Sequence, residues 1–318
     1  MAKYDSIHGT IVRSYTTDPD TLITGHVWYD KTAKTLQYQT ASPAGAWSSG
    51  NNMNTGRASA GGAGTQTAGL GFGGVTPPET DKTESYNGST WTEVADLQQT
   101  GTKLDGFGTS TAAIACGGDI SNSYSDRSET WNGSAWSEGN NLNQARNQMA
   151  SISGITTAGL VFGGQGPPPG MQDATESYNG TSWTEVSDLN TARYALMGAG
   201  TTTAGLAFGG NVDPGDKAET ESWNGSSWTE VNDLNTGDAQ GAGFGTATAA
   251  LAVKMSTVEQ FNGTSWTEVA DTATPRGSLQ AAKSGTTTAG LVFGGDSASA
   301  VTEEWNAPTL ATKTVDTD

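Results

Sequence analysis

A glycine doublet recurs along this chain at intervals of 42 to 46 residues. The doublets end at Gly74, Gly118, Gly164, Gly210 and Gly295, and a degenerate copy ends at Val253. The clearest copy of the surrounding unit, residues 175–210, reads TESYNGTSWTEVSDLNTARYALMGAGTTTAGLAFGG. A fixed period in the forties means stacked supersecondary units, a propeller or a solenoid, because no single unit of that size buries its own apolar face.

The unit resolves into four short strands. TESY ends in Asn-Gly, a dipeptide that favours a type I′ turn because both central residues take positive φ. SWTEV returns. The same turn is expected at Asn87, Asn132, Asn179, Asn224 and Asn262. DLNTAR is a connection. ARYALMGAG and TTTAGLAFGG form a second strand pair, rich in Gly and Ala where backbones crowd together. Four antiparallel strands in such a unit make one propeller blade. Hydrophobic residues are only 34% of the chain, low for one central core, and regularly spaced aromatics carry the packing instead.

The order R-x6-G, glycine doublet, aromatic-Asn-Gly, Trp resembles the kelch repeat. That resemblance implies an all-β, kelch-like β-propeller, and the count of its fourth-strand tryptophans and third-strand aromatics makes it six-bladed. The repeat's arginine appears as Arg57, Arg146 and Arg193. Blades two and five lack it, and in blade six Arg276 reads as shifted by two residues. The fourth-strand tryptophans are Trp47, Trp91, Trp136, Trp183, Trp228 and Trp266. Third-strand aromatics are Tyr86, Trp131, Tyr178, Trp223, Phe261 and Trp305. The two sets are equal but offset, so the strand around Trp47 is expected to complete the last blade and remove its exposed edge. The expected organisation is an N-terminal arm over 1–24, a β-hairpin and linker over 25–45, the propeller over 46–306, and a leftover surface tail over 307–318.

Net charge is −18 and Lys plus Arg total only 15, which argues against a nucleic-acid partner or an anionic membrane surface. The single cysteine, Cys116, excludes an internal disulfide framework and falls at the unit's Phe position, as a small buried residue. No signal peptide and no apolar run of about 18 residues are visible, so neither export nor membrane insertion is expected. The five Asn-Gly-Ser/Thr sequences match the glycosylation sequon, but the turn explains them all. Only His8 and His26 exist, both outside the repeats, which leaves no histidine-based triad or metal cluster within them. Glu93, Glu185, Glu230 and Glu268 repeat with the unit, as scaffold residues do. No enzyme, cofactor or metal is expected.

Recognition is expected on the loops after the glycine doublets, which vary in length on an otherwise uniform scaffold. Candidate residues there are Asp119, Asn122, Tyr124, Met171, Asp173, Asn211, Asp213 and Asp216. The copies G-T-x-T-A-G-L-x-F-G-G and N-G-x-x-W-T-E-V, with the lead-in GHVWYD, look like kelch-type structural proteins of marine and cyanobacterial bacteriophages. That resemblance covers about residues 25–306. It implies a virion protein made in the host cytoplasm: a tail fibre, tail appendage or capsid fibre. Its arm would dock on other virion proteins, and many copies would meet a host-surface glycan or protein. A decoration protein without a receptor and an interaction scaffold are the alternatives.

Overall fold

The computed structural model describes residues 12–16, 26–40, 45–255, 257–307 and 311–315. The chain divides into two compact units, Met1–Ala46 with Ala307–Asp318, and Trp47–Asn306. The expected anchor over 1–24 lies mostly outside the described residues.

The smaller unit is a four-stranded sheet. Arg13–Tyr15 runs parallel to Val27–Asp30, which forms a hairpin with Thr35–Thr40. The turn is set by Asp30, whose Oδ1 accepts the amides of Thr32 at 2.7 Å and Ala33 at 3.0 Å. Lys34 closes it with φ of 57°. Ala311–Thr314 pairs antiparallel with Thr35–Thr40, so part of the 307–318 tail is a strand rather than leftover chain.

The larger unit is all-β and contains six four-stranded antiparallel sheets, numbered here in chain order by their first strands. In sheet one the strands are Gly61–Thr65, Ala68–Phe72, Thr83–Tyr86 and Trp91–Glu93, hydrogen-bonded in that order. The first strands of sheets two to six are Asp105–Thr109, Ala150–Ile155, Met197–Thr201, Ala242–Thr246 and Gln280–Ala281. The fourth strand of sheet six is Ala46–Ser49, from the other end of the chain. Gly50 N donates to Thr302 O there at 2.9 Å, and Trp47 packs on Trp305 at 5.5 Å. The first strands lie side by side in chain order, and that of sheet six also lies beside that of sheet one.

The Asn-Gly turns differ from the expected type I′. Asn87 stays out of the positive-φ region while Gly88 takes φ of 88°. The Asn87 side chain accepts the amides of Ser89 at 2.9 Å and Thr90 at 2.8 Å, and the other four copies repeat this. The side-chain carbonyl replaces the backbone strain that a second left-handed residue would carry.

Neighbouring sheets are joined by two repeated contacts. The second-strand phenylalanine of one sheet meets the fourth-strand tryptophan of the next edge-on or tilted, as in Phe72–Trp136, Phe162–Trp228, Phe208–Trp266 and Phe293–Trp91, at 4.9 to 5.0 Å. The same tryptophans donate Nε1 to the first threonine of the preceding sheet's third strand: Trp136 to Thr83, Trp228 to Thr175, Trp266 to Thr220 and Trp91 to Thr302, at 2.9 to 3.1 Å. Sheet two has Cys116 in place of the phenylalanine, and there Phe107 from its first strand reaches Trp183 instead, at 6.2 Å.

Each connection entering a sheet is clamped by a buried glutamate on the third strand. Arg57 meets Glu84 at 2.5 Å, Arg146 meets Glu176 at 2.5 Å and Arg193 meets Glu221 at 2.9 Å. Arg276 pairs with Glu303 in the same way, so it is in register rather than shifted. The common frame is the left-handed residue two positions later: Ser59, Gln148, Ala195 and Ser278. The spacing that disturbed the alignment falls after Arg276, between it and the doublet ending at Gly295, outside the clamp.

Candidate functional site: the loop face and its central cavity

The residue two positions ahead of each first strand is left-handed in all six sheets. Ser59, Lys103, Gln148, Ala195, Gln240 and Ser278 have φ between 49° and 61°. Only one to two kcal/mol per residue, roughly, opposes this conformation in a non-glycine residue. It is offset by a hydrogen bond at every step. Lys103 N donates to Ser59 O, Gln148 N to Lys103 O, Ala195 N to Gln148 O, Gln240 N to Ala195 O, Ser278 N to Gln240 O and Ser59 N to Ser278 O, at 2.7 to 3.0 Å. The sixth bond returns to the residue where the first began.

These residues rim a cavity of about 60 Å³. Its polar walls come from Lys103, Asp105, Gln148, Gln240, Gln280 and Lys283. The loops after the glycine doublets leave the sheets on this same side: Val75 pairs with Ala58, Asp119 with Thr102, Gln165 with Asn147 and Asn211 with Tyr194.

Below the rim, two polar residues of the first strands, Asp105 and Ser151, meet Lys283, which lies two residues past the first strand of sheet six. Asp105 Oδ2 accepts Ser151 N at 2.7 Å, Ser151 Oγ at 3.0 Å and Lys283 Nζ at 3.1 Å, and its Oδ1 accepts Gly106 N at 2.8 Å. Both charged side chains are 7% exposed. Lys283 reaches Asp105 because the first strand of sheet six stops after two residues and the chain bends inward. Ser284 N then bonds Gly64 O at 2.8 Å, and Ser284 Oγ bonds Gly108 O at 2.9 Å. Every polar atom in this group is engaged with another, so the arrangement ties sheets one, two, three and six together. A buried ion pair of this kind costs about 3–5 kcal/mol to break by removing one partner.

The eight loop candidates are not brought into one cluster. Asp119 is buried and committed internally, accepting Lys103 Nζ at 2.9 Å and Asn147 Nδ2 at 2.6 Å, so it braces the rim of the cavity rather than facing a ligand. Tyr124 is half-buried in a two-stranded hairpin, Asp119–Ile120 with Ser123–Tyr124, whose turn exposes Asn122. Met171 is half-buried opposite Gln165, and Asp173 is exposed beside it in sequence. Asn211 donates to Asp216 Oδ1 at 2.8 Å, and Asp213 is exposed between them. Among the described residues, no group of three or more His, Cys, Asp or Glu side chains is placed to hold a metal.

Sequence reasoning missed the cavity residues Lys103, Asp105, Gln148, Ser151, Gln240, Gln280 and Lys283. For Asp105, Ser151 and Gln280 the signal was present as polar substitutions in columns otherwise held by Gly, Ala or Met, whereas Lys103, Gln148 and Gln240 share a column that is polar in most copies. A scan against family models and a search of curated proteins both find no match to this chain.

Proposed function

We propose that residues 46–306 form a six-bladed, kelch-like β-propeller, and that the protein is a bacteriophage virion component displaying its loop face to the host surface. The blade count is supported by the six sheets, by the hydrogen-bond cycle through Ser59 and Ser278, and by the Trp91–Thr302 contact between sheets one and six. The observation carrying the display reading is the division of the molecule into uniform and variable parts. Trp, Asn-Gly and clamp positions repeat from sheet to sheet, while the loops around the cavity differ in length and chemistry. A rigid frame with variable loops at one end suits recognition. Exposed Asn122, Asp173, Asp213 and Asp216 are hydrogen-bond acceptors of the sort a glycan or polar protein surface engages. The virion assignment itself rests on the resemblance of the repeat motifs to phage structural proteins. Multiple copies on a particle would let individually weak contacts act together.

Antibody raised against the purified chain tests this reading on phage particles from the same source. Label at the tail or a capsid fibre, with binding of the purified protein to host cells, is the expected result. Particles without label overturn the virion assignment. Label on particles without host binding would favour a decoration role.

A further inference from the structure

Five of the six sheets place a cation within hydrogen-bond distance of their buried clamp glutamate, and sheet two does not. The four arginine-bearing sheets define what fills the position. Arg57, Arg146 and Arg193 each donate to the glutamate and also to two backbone carbonyls. One is the first glycine of the doublet: Gly73, Gly163 or Gly209, at 2.9 to 3.4 Å. The other lies just ahead of the third strand: Lys82, Ala174 or Glu219, at 2.5 to 2.6 Å. Arg276 likewise donates to Gly294 O, at 2.7 Å. In sheet five the arginine position is Asp238, but Lys254 turns back to Glu259 and supplies the charge.

In sheet two the arginine position is Gly101, two residues ahead of left-handed Lys103. The clamp glutamate, Glu129, is only 5% exposed. Its Oε2 accepts Gln98 N at 2.8 Å, as the clamp glutamates of the other sheets accept the entering chain. The Gln99 amide also supports the carboxylate, but the only cation near its Oε1 is Arg127, at 3.6 Å, which is too long for a hydrogen bond. Arg127 reaches it from just ahead of the third strand, Ser128–Trp131, and its Nε has no partner. The clamp side is open. A cavity of about 30 Å³ lies there, walled by Gly101, Leu104, Gly117, Ile120, Arg127 and Glu129. That is roughly twice the space one water needs. A Cβ built on Gly101 would meet nothing nearer than 3.6 Å. Gln99 and Thr100, both exposed, stand at the mouth. Consistent with a carboxylate short of a counter-charge, burial pushes Glu129 above the ordinary carboxyl value.

We infer that sheet two holds a guanidinium-binding site, in which Glu129 Oε1 and the carbonyl of Gly117 accept hydrogen bonds from an alkylguanidinium entering past Gln99 and Thr100. The four arginine-bearing sheets show the same pair of acceptors occupied by the same group. The ligand is therefore either a free alkylguanidinium or an arginine side chain presented by a partner peptide. The flat fork that fits a carboxylate is shared by both, and an ammonium lacks it.

Titration of the full-length protein with millimolar methylguanidinium tests the site, read as a thermal shift and by calorimetry, with tetramethylammonium at equal ionic strength as control. Saturable binding to the wild type is expected. It should weaken by about tenfold or more in Glu129→Gln, which loses a charge-assisted hydrogen bond. It should vanish in Gly101→Arg, where a tethered guanidinium fills the site. A capped Gly-Arg-Gly peptide and its Gly-Lys-Gly counterpart separate the sources. Binding of the arginine peptide alone assigns a protein partner, and binding of methylguanidinium but neither peptide assigns a small molecule. No saturable shift in the wild type, or an equal shift in Glu129→Gln, overturns the inference. So does binding that appears only in Arg127→Ala, because Arg127 would then be the native occupant. Should Gly101→Arg fail to fold, the Glu129→Gln comparison decides alone. Host binding and particle labelling are independent of this result.

Discussion

Glu129 and Glu259 occupy the same place in two sheets and titrate in opposite senses. At Glu259, burial pushes the carboxyl up, but the hydrogen bonds from Lys254 and Asn235 outweigh it and leave it below the ordinary carboxyl value. A depressed acid stabilises the fold above its ordinary value and loses that contribution as pH falls through the folded value. At Glu129, burial prevails, so the folded state binds the proton more readily, and that advantage disappears as pH rises through the folded value. Urea denaturation at pH 7 is therefore expected to find Glu259→Gln less stable than wild type and Glu129→Gln equal or more stable. Both differences should shrink as pH falls toward about 4. Equal losses from the two variants would contradict this account. The contrast extends to the cations. Arg146 is fully buried against Glu176, and Arg146→Met should cost about 3–5 kcal/mol because a carboxylate is left unpaired. Arg127→Met, removing a partner already 3.6 Å away, should cost under about 1 kcal/mol. Cys116 is 2% exposed, and burial pushes its thiol well up, with the Asp105 and Glu176 charges adding to it. It should resist alkylation in the native protein and react at once in denaturant.

The sheets show how a repeat tolerates substitution. Sheets two and five carry Cys116 and Val253 where the others carry Phe, and these same sheets carry Phe107 and Phe244 on the first strand. Phe107 packs with Cys116 and Trp183, and Phe244 packs with Val253 and Trp305. The aromatic has changed strand, while the core it fills has not. Cys116→Phe alone is expected to overpack and cost about 1–3 kcal/mol. Phe107→Ala alone should cost about 3–5 kcal/mol. Together they should cost clearly less than the sum, a coupling measurable by a double-mutant cycle. Additive losses would mean the two positions do not share one space. The repeat period, the tryptophan positions and the glycine doublets were legible because each recurs in a fixed column. The exchange of Phe between strands was not, because it keeps the volume and moves the column. Neither was Lys254 supplying the arginine's charge from sixteen residues downstream of that position, nor the Asn side chains that keep their turns out of type I′. Each is a three-dimensional equivalence between different sequence positions. Among the loop candidates, chemistry alone selected Asp119, while its bonds to Lys103 and Asn147 are visible only in the folded chain.

Across the larger unit, the contact between sheets six and one uses the same parts as the others. Trp91 donates to Thr302, Phe293 meets the Trp91 ring at 4.9 Å, and Tyr86 donates to Glu304 at 2.5 Å. What differs is sheet six itself, whose outer strand Ala46–Ser49 comes from the opposite end of the sequence. Without it, Thr302–Asn306 becomes an unpaired edge, and such edges recruit other chains. A chain beginning at residue 50 is expected to lose stability and to associate, seen as higher mass in light scattering and a lower denaturation midpoint. A monomeric product as stable as the full chain would show that the strand is dispensable.

The split origin of sheet six also bears on how the protein is made. Residues 46–49 leave the ribosome early, and their partner strand, 302–306, leaves more than two hundred and fifty residues later. Sheets one to five can each assemble from contiguous chain as it emerges, but the sixth must wait until residues 302–306 have been made. A prematurely terminated product therefore lacks the partner for its own first strand and remains marked by that open edge, ready for capture by quality control. The larger unit is completed at one strand pair that joins distant parts of the sequence.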